Sequence, residues 1–139
     1  SEQDYKYQAK GQLCHQCNKT VFLSGCVDVT SGNEVHLKEA VARGPVSVAI
    51  EADKEVFQLY SSGVITSDKC GINLDHGVLI VGYGHDLIQG LDYWIEKNSW
   101  SPNWGDEGYV KILRNYEKYG GDSSGMCGIA SQPSFPIIN

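Results

Sequence analysis

The chain has 139 residues, 41% of them hydrophobic and 20% charged, a globular composition that excludes a disordered segment. A formal net charge of −6 argues against a nucleic-acid partner, which would require a basic face. The longest apolar runs, such as residues 77–81, are far too short to cross a bilayer as a helix.

Residues 1–32 read as irregular, polar and turn-rich. Asn18-Lys19-Thr20 within them is an N-glycosylation sequon, meaningful only in a secreted chain. Asn33 reads as a helix N-cap, followed by Val35, Leu37, Ala40 and Val41 near helical spacing, with Gly44-Pro45 ending the run. A strand is expected over 46–50 and a short helix over 55–60. Three more strands are expected over 78–83, 93–97 and 108–113. Turns are placed at Gly84-His85-Asp86, Gln89-Gly90 and Ser101-Pro102-Asn103. Residues 116–125 read as a surface loop.

Five cysteines, Cys14, Cys17, Cys26, Cys70 and Cys127, point to an oxidising compartment. The odd count leaves either a free thiol or a bond to another chain. Cys14-His15-Gln16-Cys17 has metal-type spacing, but the segment lacks the further convergent ligands of a four-ligand site, so no metal is expected. No other cofactor is expected either.

His76 stands at the entrance to an apolar strand, where a histidine is often only a strand-end residue. Asn98 ends the strand 93–97 and is followed by Ser99-Trp100, a triplet more often found in turns. The two strands are joined by a short connection and should pair antiparallel, which could bring Asn98 beside His76. An Asn oxygen accepting the proton of one ring nitrogen would fix the imidazole and leave the other nitrogen for a nucleophile. A cysteine paired with such a histidine has a lowered thiol pKa.

The stretch Leu74-Asp75-His76-Gly77-Val78-Leu79-Ile80-Val81-Gly82-Tyr83-Gly84 resembles the histidine motif of papain-family cysteine proteases. Residues 93–100, followed by Trp104-Gly105-Asp106-Glu107-Gly108-Tyr109, resemble their asparagine motif. Met126-Cys127-Gly128-Ile129-Ala130-Ser131 resembles the near-terminal motif of the cathepsin L group. Tyr5-Lys6-Tyr7-Gln8-Ala9 is similar to that group's Tyr-Pro-Tyr segment, with Lys6 in place of Pro.

The resemblance implies an α+β papain-like fold. Residues 1–28 would be the tail of the left domain and 29–139 the right, β-barrel-like domain. It implies a general base and acid at His76 and an orienting amide at Asn98. Trp100 would shield their hydrogen bond and line the leaving-group side of the cleft. Ala49, Leu74, Asp75 and Gly77 match positions around the substrate's P2 side chain, and Gln132 matches the base of that S2 pocket. Many relatives carry an apolar residue at that last position, so Gln132 leads to an expectation of some polar or basic P2 acceptance. Ser101 stands where the family usually has Gly, so a positive φ required there would strain it, without bearing on the chemistry.

The family's nucleophile lies in a Cys-Gly-Ser-Cys-Trp type motif near the mature N-terminus, and no such motif occurs here. Cys70 and Cys127 resemble the right-domain disulfide pair. Cys14 resembles a cysteine bonded to the N-terminal segment. Cys17 and Cys26 have no counterpart in the resemblance; a small loop closed between them is one option, and their connectivity stays open. The expectation is therefore the C-terminal portion of a cysteine endopeptidase in a lysosomal, vacuolar or secreted setting. Its partners would be a companion N-terminal portion carrying the nucleophile and held in part through Cys14, peptide or protein substrates, and cystatin-type inhibitors or a propeptide. The alternative is a non-catalytic papain-fold protein with a structural or storage role.

Overall fold

The computed structural model describes residues 3–17 and 19–138. The Asn18 sequon therefore lies outside the described residues. The chain forms two compact units, one from the described residues of Ser1–Cys26 and Pro136–Asn139, the other Val27–Phe135.

In the first unit, strand β1 (Leu23–Asp28) begins within a segment the sequence reads as irregular. Its residues are all exposed, so no buried face marks it by alternation. Its partner is β7 (Ser134–Ile138), and Ser24 Oγ donates to Ile137 O. His15 stacks on Tyr5, with ring centroids 4.1 Å apart.

The second unit opens with helix α1 (Glu34–Val41). Asn33 caps it as expected: its side-chain oxygen accepts from the backbone N–H of Val35 and His36 at 3.1 and 2.9 Å. Leu37 and Val41 are buried, and the helix stops before Gly44-Pro45. Glu34, in the first turn, binds outward. Oε1 accepts from Trp94 Nε1 and Asn115 N, and Oε2 accepts from Tyr116 N. One carboxylate thus ties the helix to the sheet and to a distant loop.

Strand β2 (Val46–Ile50) buries Val46, Val48 and Ile50 and turns Ser47 to solvent, the period-2 pattern of a half-buried strand. Helix α2 is one turn, Glu55–Gln58, shorter than its sequence suggests, and buries Phe57. Strand β3 (Val64–Ile65) is too short for periodicity to reveal. Then come β4 (His76–Asp86), β5 (Leu91–Lys97) and β6 (Tyr109–Leu113). Within this unit the strands run in the order β2-β4-β5-β6-β3; β2, β4, β5 and β6 pair antiparallel, β3 lies parallel to β6, and Ser134 pairs with Ser47 of β2. The core against this sheet includes Leu37, Ile50, Phe57, Ile80, Trp94 and Ile112, all fully buried. Each such side chain contributes about 1.5–3 kcal/mol.

The expected turn at Gly84-His85-Asp86 is strand instead, and β4 continues through it. Gly84 serves close approach: a Cβ there would lie 2.5 Å from the Tyr93 hydroxyl on the facing strand. The reversal falls at 87–90, where Asp86 Oδ1 accepts from Ile88 N and Gln89 N, and Gly90 takes φ +68°. The expected loop 116–125 begins with a 3-10 turn, Tyr116–Tyr119. Ser101 has φ +76°, so it does bear the left-handed conformation that favours glycine.

Cys70 and Cys127 form a disulfide. Cys14, Cys17 and Cys26 are free and exposed. A Cys17–Cys26 loop is not formed. Cys26 is held in β1, Cys17 lies in the irregular stretch ahead of it, and their sulfurs do not meet.

Candidate active site

His76 opens β4 directly opposite Ile50, the last residue of β2. The residue before it is held twice: Asp75 N–H donates to Ile50 O at 3.0 Å, and Asp75 Oδ1 accepts from Ala52 N at 2.8 Å. Across β4, Leu79 pairs with Lys97 at the end of β5, so Asn98 emerges at the His76 end of the hairpin. Asn98 is itself fixed by donating its backbone N–H to Gly108 O.

The consequence is a hydrogen bond of 2.8 Å between His76 Nε2 and Asn98 Oδ1. The same oxygen accepts the Ser99 N–H at 2.7 Å. A backbone N–H can only donate, so this contact fixes which end of the amide faces the ring. His76 Nε2 therefore carries the proton and donates, and Nδ1 is the basic nitrogen left open. Asn98 is buried, and its Nδ2 has no partner among the described residues.

Aromatic rings enclose this pair. Trp100 lies 5.1 Å from His76 by ring centroids, and Phe57 lies 6.3 Å from it, edge-on. Trp104 backs both, 5.0 Å from Phe57 and 5.3 Å from Trp100, and its Nε1 donates to Gln58 O. Edge-to-face and tilted packing of this kind is favourable beyond the area it buries. The imidazole–amide bond beside these rings is part-buried, with Asn98 the more enclosed of the two side chains. Trp100 remains partly exposed. Phe57 carries no motif in the sequence, and only its apolar spacing in a short helix points to it.

Ala49 pairs with Gly77 across β2 and β4, which puts two small residues next to His76. Leu74 is half-buried and packs on Gly128, where a Cβ would lie 2.6 Å from Leu74 Cδ2. Asp75 commits one carboxylate oxygen to Ala52. Gln132 precedes by two residues Ser134, which pairs with Ser47, and this antiparallel pairing directs it toward the Ala49 end of β2. The Gln132 amide is exposed here, not buried. It lines an open cavity with Asp28, Val29 and Ser31, and none of Ala49, Leu74, Asp75 or Gly77 borders that cavity.

Two buried acids have no motif either. Glu51 is 4% exposed and binds Lys54 Nζ at 2.8 Å. Glu96 is fully buried between Trp94 and Asn98 on the inward face of β5, and neither carboxylate oxygen has a partner among the described residues. Burial pushes its pKa up to about 8. Strand alternation marks Glu96 as inward-facing once Trp94 is placed in the core.

The sequence matches the family described as "Papain family cysteine protease" over residues 1–137. It is 51% identical over 141 residues to the probable cysteine protease RDL2 of Arabidopsis thaliana, covering 98% of this chain and 37% of that protein. It is 46% identical over 142 residues to cathepsin L of Sarcophaga peregrina, covering 99% of this chain and 40% of that protein. Among solved structures, the ragweed pollen allergen cysteine protease in its proform superposes with a TM-score of 0.88 at 38% identity, over 99% of this chain and 41% of that one. The bromelain protease from Ananas comosus, with a bound inhibitor, gives 0.86 at 36% identity, over 97% and 60%. The chain thus spans well under half the length of these two curated relatives. With the His76–Asn98 pair on a fold of this kind, the chain belongs to the papain family of cysteine proteases.

Proposed function

We propose that this chain supplies the general base, its orienting amide and part of the substrate wall of a cysteine endopeptidase. The nucleophilic cysteine would lie on a portion outside this sequence. The observation that carries the reading is the His76 Nε2–H···Asn98 Oδ1 bond at 2.8 Å, which leaves Nδ1 as the open basic atom. In the reaction, Nδ1 takes the thiol proton and the thiolate attacks the scissile carbonyl carbon. The imidazolium then returns the proton to the departing amine, leaving a thioester. A water that gives its proton to Nδ1 hydrolyses the thioester, and the imidazolium reprotonates the thiolate.

Trp100 lines the leaving-group side of this cleft, and Ala49, Leu74, Asp75, Gly77 and Gln132 form the P2 side. Support for the subsites comes from the Ala49–Gly77 pairing beside His76 and from the direction of β7. The exposed, free Cys14 is the candidate for a bond to the nucleophile-bearing portion. The proform relative supports a propeptide partner, and the Cys70–Cys127 disulfide supports an oxidising, lysosomal, vacuolar or secreted setting.

The test is to assemble the chain with its preceding portion and titrate with a thiol-directed epoxide while following peptide hydrolysis. Label on the companion portion is expected, with hydrolysis falling about 10²–10⁴-fold in His76→Ala. No label and no hydrolysis in the wild type would instead identify a non-catalytic member of the fold.

A further inference from the structure

The segment that delivers His76 to its place, residues 71–75, has no regular secondary structure of its own. It runs from Cys70 of the Cys70–Cys127 disulfide to His76, the first residue of β4. Leu74 and Asp75 lie on it. An irregular stretch of this kind needs its backbone groups satisfied from outside, or it will not hold a histidine in one orientation.

Glu51 meets that need. It follows the last residue of β2, and its side chain is almost wholly withdrawn from solvent. Oε2 accepts the backbone N–H of Asn73, in the middle of the segment. Oε1 receives Lys54 Nζ at 2.8 Å, and Lys54 is steadied in turn by Asp53. The carboxylate also rests on Gly71, whose φ is +74° and where a Cβ would fall on the Glu51 oxygens. Its neighbours complete the splint, with Ile50 O accepting from Asp75 N and Ala52 N donating to Asp75 Oδ1. Removing a carboxylate from water is costly unless its oxygens are used, and here both are. The Lys54 hydrogen bond, then the Asn73 amide, hold its pKa below the usual carboxylate value, so the charged acceptor persists into acid.

We propose that Glu51 is a positioning residue for the reaction assigned above: by pinning Asn73 against Gly71 it sets how the chain enters β4 and thereby the aim of the His76 imidazole. This rests on that functional reading for its kinetic consequence, but its structural consequence stands alone. Glu51 touches neither the imidazole nor Asn98; it acts through the backbone of residues 71–75.

The test uses the assembled protein with two readouts, peptide hydrolysis and the NMR signal of the His76 Nε2–H proton. Glu51→Ala is expected to lower kcat about tenfold or more with KM changed less than about threefold, because misplaced reacting groups cost turnover rather than binding. The Nε2–H signal should broaden or vanish as the bond to Asn98 loosens. Glu51→Gln keeps an oxygen for the Asn73 amide and should return both readouts to within about twofold of wild type. Should Glu51→Ala not fold, Glu51→Asp, whose oxygens fall one methylene short of Asn73, carries the same expectations. A wild-type kcat and an unaltered signal in the shortened variants would overturn the proposal, as would a Glu51→Gln variant as impaired as Glu51→Ala. If the wild type hydrolyses no peptide, the endopeptidase reading fails, and the His76 signal alone decides the role of Glu51.

Discussion

The indole of Trp100 lies with its ring centroid 5.1 Å from that of His76, the planes tilted by 35°. Its other side meets Phe57 and Trp104 edge-on, so it is braced rather than free to swing. Trp100→Ala is expected to let water reach the His76–Asn98 bond. A loss of about tenfold in kcat/KM, or ~1.4 kcal/mol, should result. Steady-state kinetics on the assembled enzyme check this, together with the solvent exchange rate of the His76 Nε2–H proton, which should rise.

Asn98 gives its one acceptor to both the imidazole and the Ser99 amide. Asn98→Ala frees the ring to rotate and removes the reason for Nε2 to hold the proton. The expected effect is a drop of about 10²-fold in kcat with a modest change in KM. Equal losses in kcat for conservative and truncating replacements of a distant surface residue would show instead that the assay reports folding.

Glu96 makes stability depend on pH with a definite sign. Its carboxyl titrates near 4.5 when the chain is unfolded and is pushed by burial to about 8 in the fold. Between those values the unfolded chain sheds a proton that the folded chain keeps, so stability falls as pH rises from about 4.5 to about 8. Glu96→Leu removes that slope and fills the site with apolar volume. Thermal unfolding of the assembled protein should show a Tm gain of several degrees at pH 7.5 and a much smaller one at pH 4.5. Parallel Tm curves for the two proteins across this range would sink the idea.

Gln132 offers a carbonyl and an amide to the proposed S2 pocket. Its exposure in this chain leaves both free to meet a substrate. A P2-varied peptide library is expected to include polar or basic residues among good substrates. Gln132→Leu should shift preference toward Leu and Phe by about tenfold, the scale of one side-chain contact in a pocket. A wild-type profile confined to aliphatic and aromatic residues would refute the assignment.

The site was legible where a few residues carry it within one hairpin. His76 and Asn98 sit at the ends of two strands whose short connection dictates antiparallel pairing, so their meeting follows from the order of the chain. Asn33 and the Gly44-Pro45 stop were legible because caps and breakers act locally. What stayed hidden depends on the tertiary structure. β1 has no buried face, and β3 is two residues long, so neither leaves a periodic trace. Gly84 looked like a turn former, and only the Tyr93 hydroxyl above it shows that the strand needs an absent side chain. Glu51 and Phe57 belong to no motif and become visible only when the 71–75 segment and the rings around His76 are in place.

His76 and Asn98 are 22 positions apart, on the two arms of one hairpin closed by the Asp86–Gly90 turn. Their contact lies at the open end of the arms, away from the turn, so it forms only when β4 and β5 are paired along their length. The ring's orientation is therefore a product of the completed hairpin and of the segment that leads into it. Any group that later docks against Nδ1 meets a base whose proton has already been assigned.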